Sequence, residues 1–122
     1  MHNICVISIN VTHMKKAVAF YCDILGFQIS TVYDEDYIIG LKHEHIPLIL
    51  NKVDTVTKVD YPHEAQVVLG IQTNDLKASI ADFKARGIEV LFDTPQACPP
   101  GTYSAIRDPF GNVIELLEFA GD

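Results

Sequence analysis

The sequence contains no tryptophan, few basic residues and no long hydrophobic run, and these shortages exclude whole classes of protein. Nine lysines and arginines face 16 acidic residues, giving a net charge of -7 without the basic cluster that nucleic-acid binding requires. Every apolar stretch falls short of the roughly 20 residues that cross a bilayer, and the N-terminus lacks the layout of a secretion signal. We therefore expect a cytoplasmic protein with neither nucleic-acid nor membrane partners.

Cysteine is also scarce. The three cysteines, Cys5, Cys22 and Cys98, cannot all pair within one chain, and their spacing matches no zinc or redox motif. Cys98 lies in the proline-rich stretch ACPPG with no cationic residue near it in sequence, so nothing there favours a reactive thiolate. We expect reduced, unreactive thiols.

An internal repeat organises the 122 residues. Residues 4–18 match residues 66–80 in their apolar positions, and both segments predict a strand followed by a polar turn and a helix. Thr12 is the predicted N-cap of the first helix, and Asn74 or Asp75 that of the second. Gly26 and Gly87 are the predicted helix ends.

Three short strands are predicted after each helix. They cover residues 27–33, 37–42 and 47–51 in the first half, and residues 88–92, 102–107 and 113–119 in the second, where a loop spans residues 93–101. Asp108-Pro109-Phe110-Gly111 is typical of a type I turn. The sequence thus predicts a single α+β domain of two βαβββ modules, residues 1–51 and 65–122, with a connector at 52–64. We expect the modules to form one curved mixed sheet around an open cup, with the helices outside.

Two segments, VTHMKKAVAFYCDILGF and DPFGNVIELLEF, resemble the vicinal oxygen chelate superfamily, which includes glyoxalase I, extradiol dioxygenases, fosfomycin-resistance enzymes and bleomycin-binding proteins. In its metal-using members, the resemblance implies a divalent ion held by one residue from the first strand and one from the last strand of each module. The matching positions here are Val6, Val68, Ile49 (or Leu48) and Glu115. One carboxylate among three aliphatic side chains is a poor ligand set, so we expect no metal and no other cofactor.

Strand alternation predicts which side chains face the cup. Similarity to the fosfomycin enzymes favours the face of the penultimate strand that carries Tyr103 and Arg107. The candidate ligand-binding residues are Val6, Ser8, Asn10, Ile49, Val68, Gln72, Tyr103, Arg107, Glu115 and Leu117.

Several residues, within this set and outside it, allow two interpretations. Glu115, an acid among aliphatic side chains, is a candidate general base, but it also suits anchoring a ligand or pairing with Arg107 or Gln72. Tyr103 suits either the cup lining or the core. His43 and His45 have the spacing of strand metal ligands, yet they fall in a predicted turn with no third ligand nearby in sequence.

Two functions follow as hypotheses. The first is a metal-independent protein that binds a small organic molecule in its cup, of the sequestration or resistance type. The alternative is a lyase or isomerase of the glyoxalase type that uses Glu115 as general base, with or without a metal held by other ligands. Small members of this superfamily commonly form homodimers, and open sheet edges would supply the contacts here.

Overall fold

The computed structural model describes residues 1–121, which divide into two compact units, Met1–Thr57 and a second that begins at Lys58. Each unit contains one four-stranded mixed sheet and one helical segment. The predicted α+β class with two repeated modules is confirmed. None of the helices within residues 1–121 combines the length and the hydrophobicity that a bilayer crossing requires.

The first unit places its sheet strands in the order β1-β4-β3-β2, with β1 parallel to β4 and the other pairs antiparallel. Its elements are β1 (Ile7–Val11), α1 (Met14–Val18), a π-helical continuation (Ala19–Ile24), β2 (Gln28–Asp34), β3 (Ile38–Lys42) and β4 (Leu48–Lys52).

The second unit repeats this topology with the order β5-β8-β7-β6, in which β5 is parallel to β8. Its elements are β5 (Leu69–Gln72), α2 (Leu76–Ala85), β6 (Gln96–Cys98), β7 (Gly101–Arg107) and β8 (Val113–Phe119).

The two helices begin at different kinds of N-cap. Asp75 caps α2, and its carboxylate accepts from the Ala78 backbone N–H at 3.0 Å. Asp75 was one of the two predicted caps, the other being Asn74. The cap of α1 is His13, whose Nδ1 accepts from the Lys16 N–H at 3.2 Å. The prediction of Thr12 was wrong because it weighed only the preference for a hydroxyl, whereas the imidazole one residue later reaches the free N–H.

Both helices end at the predicted glycines, Gly26 at φ +85° and Gly87 at φ +76°. This left-handed conformation favours glycine. The first helix has one residue more than the second between its N-cap and its glycine. A single extra residue inside an α-helix is what produces a π-helical turn, and the structure shows one at Ala19–Ile24.

Each helix covers one face of its own sheet. The helix α1 packs against β4, and α2 packs against β7 and β8. Along β1, Ile9 and Val11 are buried while Ser8 and Asn10 are exposed, as the predicted alternation requires. The buried cores include Val11, Phe20, Tyr21, Leu41 and Leu50 in the first unit and Leu76, Ile80, Phe83, Ile106, Ile114 and Leu116 in the second. The opposite face of each sheet is left for other contacts.

One predicted strand was wrong. Residues 88–92 pair with β7 only through an isolated bridge between Val90 and Ile106, and the regular edge strand is Gln96–Cys98, inside the predicted loop. The apolar run at 88–92 lies along β7, donating from Leu91 N–H to Ala105 C=O, but it is too irregular to form a ladder. The predicted turn after β7 is confirmed by a hydrogen bond from Gly111 N–H to Asp108 C=O at 3.2 Å.

Candidate functional site

Glu115 lies in the middle of β8, on the face of the second sheet away from the buried Ile114 and Leu116. Its neighbours across the sheet are Gly70 on β5 and Ala105 on β7. These are the two smallest residues, so the half-buried carboxylate is not screened by long neighbouring side chains. Glu115 is therefore a carboxylate whose direct neighbours across the sheet carry no polar side-chain atoms.

The carboxylate of Glu115 accepts a hydrogen bond on Oε2 from the hydroxyl of Tyr61. Tyr61 is therefore the partner of Glu115, whereas one interpretation of the sequence had paired Glu115 with Arg107 or Gln72. Burial, followed by the hydrogen bond to Glu115 and its negative charge, raises the pKa of Tyr61. The phenol therefore stays protonated at neutral pH, and its hydroxyl can donate to the Glu115 carboxylate.

Two further aromatic rings extend the contact around Tyr61. The ring of Phe92 lies edge-to-face with that of Tyr61, with centroids 6.2 Å apart at an interplanar angle of 71°. Tyr103 continues the series, 5.6 Å from Phe92 at 76°. Edge-to-face geometry of this kind is favourable for aromatic pairs. We call the group formed by Glu115, Tyr61, Phe92 and Tyr103 the Glu115 cluster.

The predicted site residue Leu117 lies beside this cluster. It pairs in register with Tyr103 on β7 and with Gln72 at the end of β5. A Cβ built on Gly70 would stand 3.0 Å from Leu117 Cδ1, so the leucine leans over the glycine next to Glu115. Gln72 is exposed, and Val68 is half-buried just before β5 begins.

Arg107 is held elsewhere although it lies on the same strand as Tyr103. It is only 9% exposed, its Nη1 donates to the Gly111 C=O at 3.2 Å, and its Nε lies 3.3 Å from a carboxylate oxygen of Glu89. Glu89 also pairs with Lys58 at 3.4 Å. These contacts hold the guanidinium against the β7–β8 turn and Glu89.

The remaining predicted site residues belong to the first unit. Val6 precedes β1 and is 41% exposed. Ser8 and Asn10 are exposed on β1, where Asn10 accepts from Asn51 Nδ2 at 3.3 Å. Ile49 is half-buried on β4, opposite Ser8 and Gly40. This group therefore marks a second sheet face, in a different unit, which carries both aliphatic and uncharged polar side chains.

The side chains at the metal positions implied by the resemblance do not fit a divalent ion. Val6, Val68 and Ile49 carry no donor atom, and Oε2 of Glu115 is engaged by Tyr61. Across residues 1–121, no group of three or more His, Cys, Asp or Glu side chains is placed to hold a metal. A hard divalent cation needs several oxygen or nitrogen ligands, which these four positions do not supply.

His43 and His45 occupy a tight turn. The Ile46 N–H donates to the His43 C=O at 3.0 Å, and both histidines are exposed. The ring of His43 lies 6.0 Å from that of Phe27 in an edge-to-face contact. This packing supports the turn interpretation that the spacing left open.

Sequence reasoning missed Tyr61 and Phe92. Tyr61 falls in the predicted connector at 52–64 and Phe92 at the end of a predicted strand, so neither position indicated a site. The one usable signal was an aromatic residue in a polar stretch, since a solvated linker has no need for a large ring. Their convergence on Glu115 depends on contacts between residues far apart in sequence, 54 positions for Tyr61.

Comparison with known proteins establishes the family. The sequence profile of the Glyoxalase/Bleomycin resistance protein/Dioxygenase superfamily matches residues 3–116. The chain belongs to this superfamily. No curated protein sequence matches this superfamily member significantly.

Solved structures share the fold of this superfamily member over nearly its whole length. TnmS3, an antibiotic-binding protein from a Streptomyces species, is 26% identical with a TM-score of 0.70, covering 98% of each chain. The trypanothione-dependent glyoxalase I of Leishmania major is 23% identical with a TM-score of 0.72, covering 97% of this chain and 87% of its own. An integron cassette protein of V. cholerae is 17% identical with a TM-score of 0.70, covering 98% and 97%. The last two comparisons show the fold alone.

Proposed function

We propose that this protein binds a small organic molecule at the Glu115 cluster without using a divalent metal. The observation that carries the proposal is the hydrogen-bonded Tyr61–Glu115 pair beside Phe92 and Tyr103. A few polar groups among aromatic and aliphatic side chains are typical of small-molecule sites. The similarity to an antibiotic-binding protein supports a sequestration or resistance role.

The chemistry of the cluster suits binding better than turnover. Oε2 of Glu115 already accepts a hydrogen bond from the Tyr61 hydroxyl, and the raised pKa of Tyr61 keeps its phenol protonated at neutral pH, so that it is not available as a general base. Affinity requires only an acceptor and flat apolar surfaces, and the cluster supplies both. The proposal therefore assigns Glu115 the role of ligand anchor.

A ligand screen by melting temperature tests the proposal, because a ligand that binds the folded state raises the apparent stability. Compounds that stabilise the wild type are then titrated into Glu115→Gln, which keeps the shape and removes the charge. We expect their affinity to fall at least tenfold, as for loss of a hydrogen bond to a charged group. Unchanged affinity in Glu115→Gln contradicts the proposal, and conversion of a bound compound, followed by NMR, favours the lyase or isomerase alternative.

Metal independence needs its own measurement. Protein purified without chelator is analysed for metal and then melted with added Ni²⁺, Zn²⁺, Mn²⁺ or Mg²⁺. We expect substoichiometric metal and no change in the melting temperature, because three of the four family positions lack a donor. Stoichiometric metal overturns this part of the proposal.

We also propose that the protein acts in the cytoplasm as a homodimer that uses a sheet edge of the first unit. The edge strand β2 is exposed at all seven positions, including the large apolar side chains of Ile29, Val32 and Tyr33. An unprotected edge with apolar side chains favours strand or face pairing with another chain. Light scattering at micromolar concentration tests this, with a dimer mass expected for the wild type and a monomer mass for Val32→Lys.

A further inference from the structure

Within the Glu115 cluster, the phenol of Tyr61 binds Glu115 in the way that a phenolic ligand would. Its hydroxyl donates to the Glu115 carboxylate. Its ring makes an edge-to-face contact with Phe92, and Phe92 makes another with Tyr103. The residue comes from outside the sheet, in a segment that is neither helix nor strand. Glu115 is therefore already hydrogen-bonded to a neutral phenol.

The segment that carries Tyr61 contacts the rest of the second unit through Lys58 as well as through Tyr61 itself. Lys58 contacts Glu89 through a 3.4 Å ion pair, and its Cα would lie 3.1 Å from a Cβ built on Gly111. Asp60 and Glu64 close a short turn, with the Glu64 N–H donating to the Asp60 C=O at 2.7 Å. Tyr61 itself is half-buried. If its side chain moves away from Glu115 while Lys58 stays in place, it gives up the hydrogen bond to Glu115 and the ring contact with Phe92.

From this arrangement we infer that the ligands of the Glu115 cluster are neutral phenols, whose hydroxyl displaces that of Tyr61 from Glu115. The inference rests on the proposed function and specifies its ligand class. The exchange replaces one phenol–carboxylate hydrogen bond with another of the same kind, so its free-energy change is small. A phenolate or a carboxylate is disfavoured, because it brings a second negative charge against Glu115.

Competition by Tyr61 has a measurable consequence. When the free protein must first release Tyr61, only the fraction that has done so can bind, and the apparent affinity is reduced by that fraction. Tyr61→Phe keeps the ring but removes the competing hydroxyl. The variant is therefore expected to bind a phenol more tightly than the wild type, whereas a residue with a purely structural role would have no such effect.

Calorimetric titration with 4-ethylphenol tests the inference, with 4-ethylanisole as the matched compound that lacks the hydroxyl proton. We expect Tyr61→Phe to bind 4-ethylphenol about tenfold more tightly than the wild type, or better, and to prefer it to 4-ethylanisole. The gain should disappear in the double variant Tyr61→Phe/Glu115→Gln. The control Tyr33→Phe, in the other unit, should bind as the wild type does. Equal affinity of Tyr61→Phe and wild type, or of the phenol and its ether, overturns the inference.

Two further measurements keep the outcome decisive. Should Tyr61→Phe fail to fold by circular dichroism, a loss of phenol affinity in Glu115→Gln relative to the wild type supports the inference, and equal affinity overturns it. Amide NMR spectra of the wild type with a diverse compound library separate the two proposals. Perturbation of Gly70, Ala105 and Glu115 by non-phenolic compounds alone refutes the phenol class but leaves the proposed site intact. If no compound shifts these amides, both the proposed function and the phenol inference are refuted.

Discussion

The two units place different residues at the same point of the same fold. Ile49 on β4 lies opposite Ser8 and Gly40, and Glu115 on β8 lies opposite Gly70 and Ala105. In each case the residue belongs to the strand that pairs in parallel with the first strand of its unit. The duplicated topology thus carries an aliphatic side chain in one copy and a carboxylate in the other.

A tyrosine lies near each of these two positions, but the two tyrosines differ in burial and in their contacts. In the first unit, Tyr33 approaches Gly40 from the edge strand, its Cε2 3.4 Å from a Cβ built there, and Ile49 Cδ1 lies at 3.5 Å. Tyr33 remains 65% exposed. In the second unit, Tyr61 is half-buried and bonds to the carboxylate. The comparison teaches that the fold supplies a sheet face twice, while the side chains place a carboxylate hydrogen-bonded to a phenol on the second face and an aliphatic residue on the first.

The largest effect is expected when the second unit is made to resemble the first. Glu115→Ile removes the acceptor and should weaken 4-ethylphenol binding by about thirtyfold or more, as for a lost hydrogen bond to a charged group. Ile49→Leu, at the corresponding position of the first unit, is the control and should leave the affinity unchanged. Calorimetry on both variants decides this, and a loss of affinity in Ile49→Leu would break the distinction between the units.

The two tyrosines should differ in their contribution to stability. Tyr61→Phe leaves the half-buried Glu115 without its donor and should lower the free energy of unfolding by about 1–3 kcal/mol. Tyr33→Phe changes an exposed side chain and should stay within about 0.5 kcal/mol of the wild type. Urea denaturation at pH 7 measures both values. Similar losses for the two variants would show that the hydrogen bond from Tyr61 to Glu115 does not stabilise the folded state.

The stability contributed by Tyr61 should also depend on pH in the alkaline range. The pKa of Tyr61 is raised in the folded state above the ordinary value of about 10, so the unfolded chain releases this proton first. The stabilisation is therefore fully present below about pH 10 and is lost as the pH rises from there toward the folded-state pKa. Between pH 9 and 11, the wild type should lose more stability than Tyr61→Phe. Parallel curves for the two proteins would contradict the raised pKa.

The smallest effect concerns the two helix caps. Asp75→Ala should lower the free energy of unfolding by about 1 kcal/mol, because a carboxylate is a favoured N-cap. His13→Ala should cost less, since an imidazole is not among the preferred caps and its bond to Lys16 is longer, 3.2 Å against 3.0 Å. Urea denaturation compares the two variants at neutral pH. A larger loss in His13→Ala would reverse the order expected of the two caps.

The sequence was most informative where the signal was local or repeated. The offset between residues 4–18 and 66–80 predicted the two modules, and glycines at 26 and 87 marked the helix ends because their backbone conformation demands that residue. The edge strand β6 was missed, since three residues beside prolines carry no clear period. Glu115 was recognisable from the family motif in which it lies. Tyr61 was not, because its role comes from folding a polar segment back onto a strand 54 residues away.

Amide NMR mapping of the ligand tests the central claim most directly. Titration of the wild-type protein with 4-ethylphenol should shift the amides of Gly70, Ala105 and Glu115 and leave those of Ser8, Gly40 and Ile49 in place. Saturable shifts at Ser8, Gly40 and Ile49 instead would contradict the claim that binding belongs to the Glu115 cluster of the second unit.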